Sequence, residues 1–133
     1  MAKILIAEDD PSINKMYREV FEMENYEVIV ASDGQESLKK AETESPDIIL
    51  LDIMMPKIDG LLALEKLKNN EITKKIPVII LSNLAGGTDA EHAKHFGAVK
   101  YVLKSQFLPI EIVKIVEKVL AGDNGKFLEN KII

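Results

Sequence analysis

Ile48-Ile49-Leu50-Leu51-Asp52-Ile53-Met54-Met55-Pro56 is an unbroken apolar run that delivers one carboxylate and is closed by a proline. Successive large aliphatics leave no polar face, so the run reads as a strand buried on both sides, as in a parallel sheet covered by helices. Asp52 then stands at the carboxyl end of that strand, the edge at which open α/β sheets bind ligands. A carboxylate there is hydrated, paired, metal-bound or chemically active, because burying it bare costs too much. Taken alone, it is equally a strand-ending Asp that starts a turn.

Outward from this run, five short β-type runs alternate with five helical patterns, the rhythm of a parallel sheet with crossover helices. Lys3 to Ala7 forms the first strand, and Asp10-Pro11 supplies an N-cap followed by proline at the first helical position. Ile13, Met16, Tyr17, Val20 and Phe21 then recur at helical spacing. Glu27 to Val30 is a second strand, and Ser32-Asp33-Gly34 turns into a weakly amphipathic helix carrying Leu38 and Ala41. After Asp59-Gly60 comes a helix with Leu61, Leu64 and Leu67 inward. Pro77 to Leu81 is the fourth strand, and Thr88 with Glu91 matches a capping box for a short helix ending near Gly97. Val99 to Leu103 is the fifth strand, and Pro109 opens a last helix with Ile112, Val116, Val119 and Leu120 on one face.

The expected fold is α/β, a doubly wound five-stranded parallel sheet in the flavodoxin-like (βα)5 order 2-1-3-4-5. Residues 1–121 form one domain, and 122–133 are a short C-terminal tail beginning at Gly122-Asp123-Asn124-Gly125, too short for a further domain. No internal repeat or low-complexity segment interrupts the pattern.

Composition narrows the chemistry. With 133 residues, 47% hydrophobic and 29% charged, the chain supports one core of ordinary size. It has no cysteine, which excludes disulfides and thiolate metal sites and fits a reducing cytoplasm. Its two histidines, His92 and His95, are too few for a typical zinc site and read as surface residues of the fourth helix. A net charge of -5 argues against direct nucleic-acid binding, which rests on phosphate neutralisation by Lys and Arg. The N-terminus reaches Glu8 too soon for a signal peptide or membrane insertion.

In such a fold the carboxyl ends of the strands converge on one crevice. Strand one ends in Glu8-Asp9-Asp10, strand three in Asp52, strand four in Ser82-Asn83 and strand five in Lys104-Ser105. With Asp10 capping the first helix, Glu8 and Asp9 face Asp52. Like charges so close raise one another's pKa unless a divalent cation sits between them. Oxygen ligands alone, in a small and partly hydrated site, suit Mg²⁺. Lys104 is either a structural counter-charge or a clamp for an incoming anion.

These residues carry a resemblance. Ile4-Leu5-Ile6-Ala7-Glu8-Asp9-Asp10-Pro11, Leu51-Asp52-Ile53-Met54-Met55-Pro56 with Asp59-Gly60, Leu81-Ser82, and Tyr101-Val102-Leu103-Lys104 occur in order, each at a strand's carboxyl end. The chain thereby resembles the receiver domain of two-component response regulators, with a chemotaxis-regulator-like fold, over roughly residues 2 to 121. The resemblance implies that Asp52 takes a phosphoryl group from the phosphohistidine of a sensor histidine kinase, a phosphotransfer protein or a small phosphodonor, forming an acyl phosphate. It implies Mg²⁺ on Asp9, Asp52 and the backbone carbonyl of Met54, with Glu8 acting through a metal-bound water. Lys104 and Ser82 would contact the phosphoryl oxygens. Ser82 would then draw Tyr101 inward and reshape the face made by the fourth helix, fifth strand and fifth helix, for a downstream protein target.

The sequence departs from the family pattern at two places. Glu8 stands where aspartate is usual. Ser105 follows the lysine where proline is common, which leaves the geometry of that peptide bond open. Met54 and Leu84, two residues after Asp52 and Ser82, are apolar where fast self-hydrolysing members place polar groups, so a long-lived phosphorylated state is expected. An aspartyl phosphatase like the haloacid dehalogenases would need a second Asp where Met54 stands. A nucleotide binder would need a glycine-rich phosphate loop after the first strand, where acids stand instead. A phosphate-independent pseudo-receiver would lack Asp52, an acidic partner or Lys104, and all are present.

Overall fold

Alternate residues of the central strands feed two apolar layers. Leu5, Ala7, Ile49, Leu51, Ile80, Tyr101 and Leu103 point to one face, and Ile4, Ile6, Ile48, Leu50, Ile79, Leu81 and Val102 to the other. Strands buried on both sides need no polar alternation, which is why the Ile48–Leu51 run is continuous. The computed structural model describes residues 1–83 and 87–131. Its order is β1 (Lys3–Ala7), α1 (Pro11–Met23), β2 (Glu27–Ala31), α2 (Gly34–Glu44), β3 (Ile48–Asp52) and α3 (Gly60–Lys68). β4 (Val78–Ser82), α4 (Gly87–His95), β5 (Lys100–Leu103), α5 (Pro109–Leu120) and β6 (Leu128–Glu129) follow, with a 3-10 turn over Lys104–Gln106.

All strand pairs are parallel, and the order is β2-β1-β3-β4-β5-β6. The first five strands follow the order expected from the sequence. α1 and α5 pack together on one face, while α2, α3 and α4 cover the other. Register decides the site: Ala7 lies opposite Leu51, Asp52 opposite Leu81 and Ser82 opposite Leu103. Glu8 therefore leaves its strand beside Asp52. Among the described residues no helix is long and apolar enough to cross a membrane.

Helix starts follow local chemistry. The Asp10 carboxylate accepts from the amides of Ser12 at 2.9 Å and Ile13 at 3.3 Å, satisfying two orphan donors. Asp33 and Asp59 do the same for Glu36 and Leu62 at 2.7 and 2.9 Å. α4 differs from expectation: it is already helical at Gly87, so Thr88 and Glu91 lie inside the helix and do not cap it.

The five-strand expectation is corrected at the C-terminal end. A sheet ending at β5 would leave a row of unpaired backbone groups. The chain instead turns through Gly122 and Gly125, with φ of 88° and 57°, and lays Leu128–Glu129 beside Tyr101 and Val102. Two residues of strand are too few for any periodic signal, so the sequence pattern is silent there.

Candidate functional site

β1 and β3 end side by side, and three carboxylates gather where they do. Oxygens of Glu8, Asp9 and Asp52 lie within 4.8 Å of one another. Asp9 is exposed, whereas Glu8 and Asp52 keep only 4% and 9% of their surface in water. Lys104, just past β5, closes the other side. Its ammonium donates to Glu8 Oε1 at 3.0 Å and to Asp52 Oδ2 at 3.1 Å. In this structure Lys104 is thus paired with both carboxylates. The Lys104–Ser105 peptide bond is trans, and Ser105 sits within the 3-10 turn.

Backbone contacts hold these groups in place. Met54 N–H donates to Asp52 Oδ1 at 3.3 Å, and Gly60 N–H to the Ile53 carbonyl at 2.7 Å. A Cβ on Gly60 would sit 2.1 Å from the Asp52 carbonyl oxygen, so only glycine lets α3 start against the end of β3. Behind Glu8, the buried Asn14 amide donates to the Glu8 carbonyl at 2.9 Å and to the Ala31 carbonyl at 3.4 Å. Sequence reading missed Asn14. Its signal is an amide next to Ile13 in the apolar stripe of α1, where a polar residue must find partners.

Burial, then the hydrogen-bonded Asp52, push the Glu8 carboxyl from its usual 4.5 up to about 7, even against Lys104. Burial also acts to lower Lys104, but its hydrogen bond to Glu8 and the two carboxylate charges outweigh it and the ammonium is held more firmly. Tyr17 of α1 lies within range of these charges; chiefly through burial, its phenol is pushed up to about 12. Three carboxylates against one ammonium make a site short of positive charge, and an all-oxygen donor set of this kind can hold a metal ion.

Ser82 ends β4 at 1% exposure, and Tyr101 on β5 is equally buried. Burial raises the Tyr101 phenol, and a side-chain hydrogen bond with Ser82 pulls it the other way. The two expected switch residues are therefore already coupled, and Tyr101 is already inside. Met54 is 66% exposed and lines an open groove of about 770 Å³ together with Met55, Leu61, Leu62, Phe96 and Asp9. Leu84 lies outside the described residues. His92 and His95 are exposed on α4, as expected.

The model of the response regulator receiver domain matches residues 4–118. The chain belongs to the response regulator receiver domain family. Such domains act in two-component signalling, where response regulators interact with histidine kinases or phosphotransfer proteins. A curated relative is the alkaline phosphatase synthesis transcriptional regulatory protein PhoP of Bacillus subtilis, 38% identical over 118 residues. That match covers 89% of this chain and 48% of PhoP, so the chain spans about half the length of this relative. Among solved structures, the receiver domain of the Francisella response regulator 1452 superposes with a TM-score of 0.84 at 32% identity, covering 92% of this chain and 98% of that one. The receiver domain of the sensor histidine kinase PA1611 from Pseudomonas aeruginosa, with a magnesium ion coordinated in its active site cleft, gives 0.81 at 27% identity, covering 90% and 98%.

Proposed function

We propose that residues 1–121 are a phosphoacceptor signalling module in which Asp52 accepts a phosphoryl group from the phosphohistidine of a sensor kinase or phosphotransfer protein. The observation that supports it best is the juxtaposition of Glu8, Asp9 and Asp52 within 4.8 Å, with Lys104 bridging two of them. Asp9, Asp52 and the Met54 carbonyl are the groups to hold Mg²⁺, with Glu8 reaching it through water. Bound there, Mg²⁺ supplies the positive charge that three carboxylates and a phosphoryl group require. The relative with magnesium in its active site cleft supports that choice of ion.

An Asp52 oxygen attacks phosphorus in line, the P–N bond to the donor histidine breaks, and an acyl phosphate forms with the imidazole as leaving group. Lys104 turns part of its charge from Asp52 to a phosphoryl oxygen. Ser82 turns its hydroxyl from Tyr101 to another, and the loosened Tyr101 alters the face formed by α4, β5 and α5. A downstream protein reads that face. The domain promotes only its own phosphorylation and dephosphorylation, and its place of action is the cytoplasm.

Incubation with Mg²⁺ and acetyl phosphate, followed by intact mass, tests the reading. A phosphoryl adduct on the parent that is missing from Asp52→Asn is expected, and no adduct on the parent contradicts it. The apolar Met54 and Leu84 slow hydrolysis of the adduct. The Met54→Asn, Leu84→Glu double variant should release phosphate about tenfold faster, an effect of roughly 1.4 kcal/mol on the barrier. An unchanged release rate rejects that role for the pair.

A further inference from the structure

Lys100 lies inside β5 with its side chain only 3% exposed, and a buried ammonium must be paired. Among the described residues its partners are Glu129 Oε1 at 2.8 Å and the carbonyl of Lys126, both from the segment after α5. The same segment satisfies the strand edge, since Tyr101 N–H donates to the Phe127 carbonyl at 2.8 Å. Phe127 packs on the apolar layer that holds Tyr101 and Phe96, with the Lys94 ammonium 5.8 Å from its ring centre. Lys131 pairs with Glu111 at 2.7 Å, and its backbone amide donates to the side-chain carbonyl of Gln106. The edge thus recognises an extended chain by its backbone, an aromatic seat and a cation that demands an acid.

The present occupant fills that site sparingly. It forms only a two-residue strand, Leu128 is 40% exposed, and its tether carries two glycines at positive φ. A cavity of about 410 Å³ remains between α5 and the tether, lined by Lys100, Lys114 and Lys118 among others. We propose that the outer edge of β5 is a docking site for an extended, parallel segment of a partner protein bearing an aromatic, an aliphatic and an acidic residue in succession, which Lys126–Lys131 keep closed in cis as a displaceable mimic. A second copy's identical tail is the weaker candidate, because a short tether gives the cis segment an effective concentration in the millimolar range. The winning partner adds ladder hydrogen bonds beyond the two-residue strand.

The test uses the full chain and, as probe, a fluorescent peptide with the sequence Gly125-Lys126-Phe127-Leu128-Glu129-Asn130-Lys131. The Phe127→Ala, Glu129→Lys variant should lose hydrogen-exchange protection at the Tyr101 amide and bind the peptide at least about tenfold more tightly than the parent. Saturating peptide should restore the protection. Adding Lys100→Met should remove that gain. If the double variant does not unfold cooperatively, Glu129→Lys alone gives the same comparison. Parent-like affinity in a folded opened variant, or binding that survives Lys100→Met, overturns the proposal. Lys100-dependent dimers of the parent would assign the edge to a second copy and equally overturn it.

Discussion

Lys100 begins β5 and Lys104 follows its end, and both are largely buried ammonium groups held by carboxylates from distant parts of the chain, yet the two surroundings are opposites. Lys100 meets one carboxylate and one carbonyl, both from the segment after α5 that we propose is displaceable. Lys104 meets two carboxylates with a third close by, all fixed at strand ends. One site is neutral and closed; the other is short of positive charge and open to more. The difference shows that a buried ion pair has no function by itself. What matters is whether the charges around it balance and whether the balancing group is free to leave.

Removing each lysine should separate the two sites most sharply. Lys104→Met leaves two buried carboxylates against one another and should cost about 3–5 kcal/mol in metal-free buffer, read from urea unfolding, with part returned by Mg²⁺. Lys100→Met lets Glu129 move into water and should cost only about 1 kcal/mol. Equal costs would break the contrast. Gly60→Ala should come next, at about 1–3 kcal/mol by thermal unfolding, because the added methyl meets backbone that must shift.

A smaller effect is the pH response of the crowded site. In the fold the Glu8 carboxyl titrates at about 7 instead of 4.5, so between those values the folded chain keeps a proton that the unfolded chain has lost. The stability from this group is full below the unfolded value of 4.5 and fades as pH rises through about 7. Metal-free Glu8→Gln should lack that slope, and the parent's Mg²⁺ affinity should rise across the same window more steeply than the variant's. Identical pH profiles would show that Glu8 is not strained by its neighbours. Smallest of all, Phe127→Ala should lower stability by no more than about 1 kcal/mol and leave Mg²⁺ binding unchanged, because the tail and the acidic site are separate.

The sequence made the crowded site legible because each member sits where a strand pattern stops: Glu8 after Ala7, Asp52 after Leu51, Ser82 after Leu81 and Lys104 after Leu103. Strand order then brings the ends together, and that order is expected from the fold type that the alternating β and α pattern suits. The closed site was illegible. Lys100 reads as an ordinary strand residue, and Leu128–Glu129 has no periodicity until β5 offers it an edge. Asn14 and the early start of α4 were also hidden, since a tertiary hydrogen bond and a helix boundary leave little trace in spacing. The motifs already pair Ser82 with Tyr101; that Tyr101 is buried before any phosphoryl group arrives depends on side-chain packing that they do not encode.

Borohydride reduction of the protein after phosphorylation by acetyl phosphate, followed by peptide mapping, tests the central claim most directly, because it converts an acyl phosphate on aspartate into homoserine at the acceptor position. The account predicts homoserine at position 52, formed only when Mg²⁺ is present during phosphorylation. Homoserine at another aspartate, or none in a folded chain supplied with Mg²⁺, would contradict it.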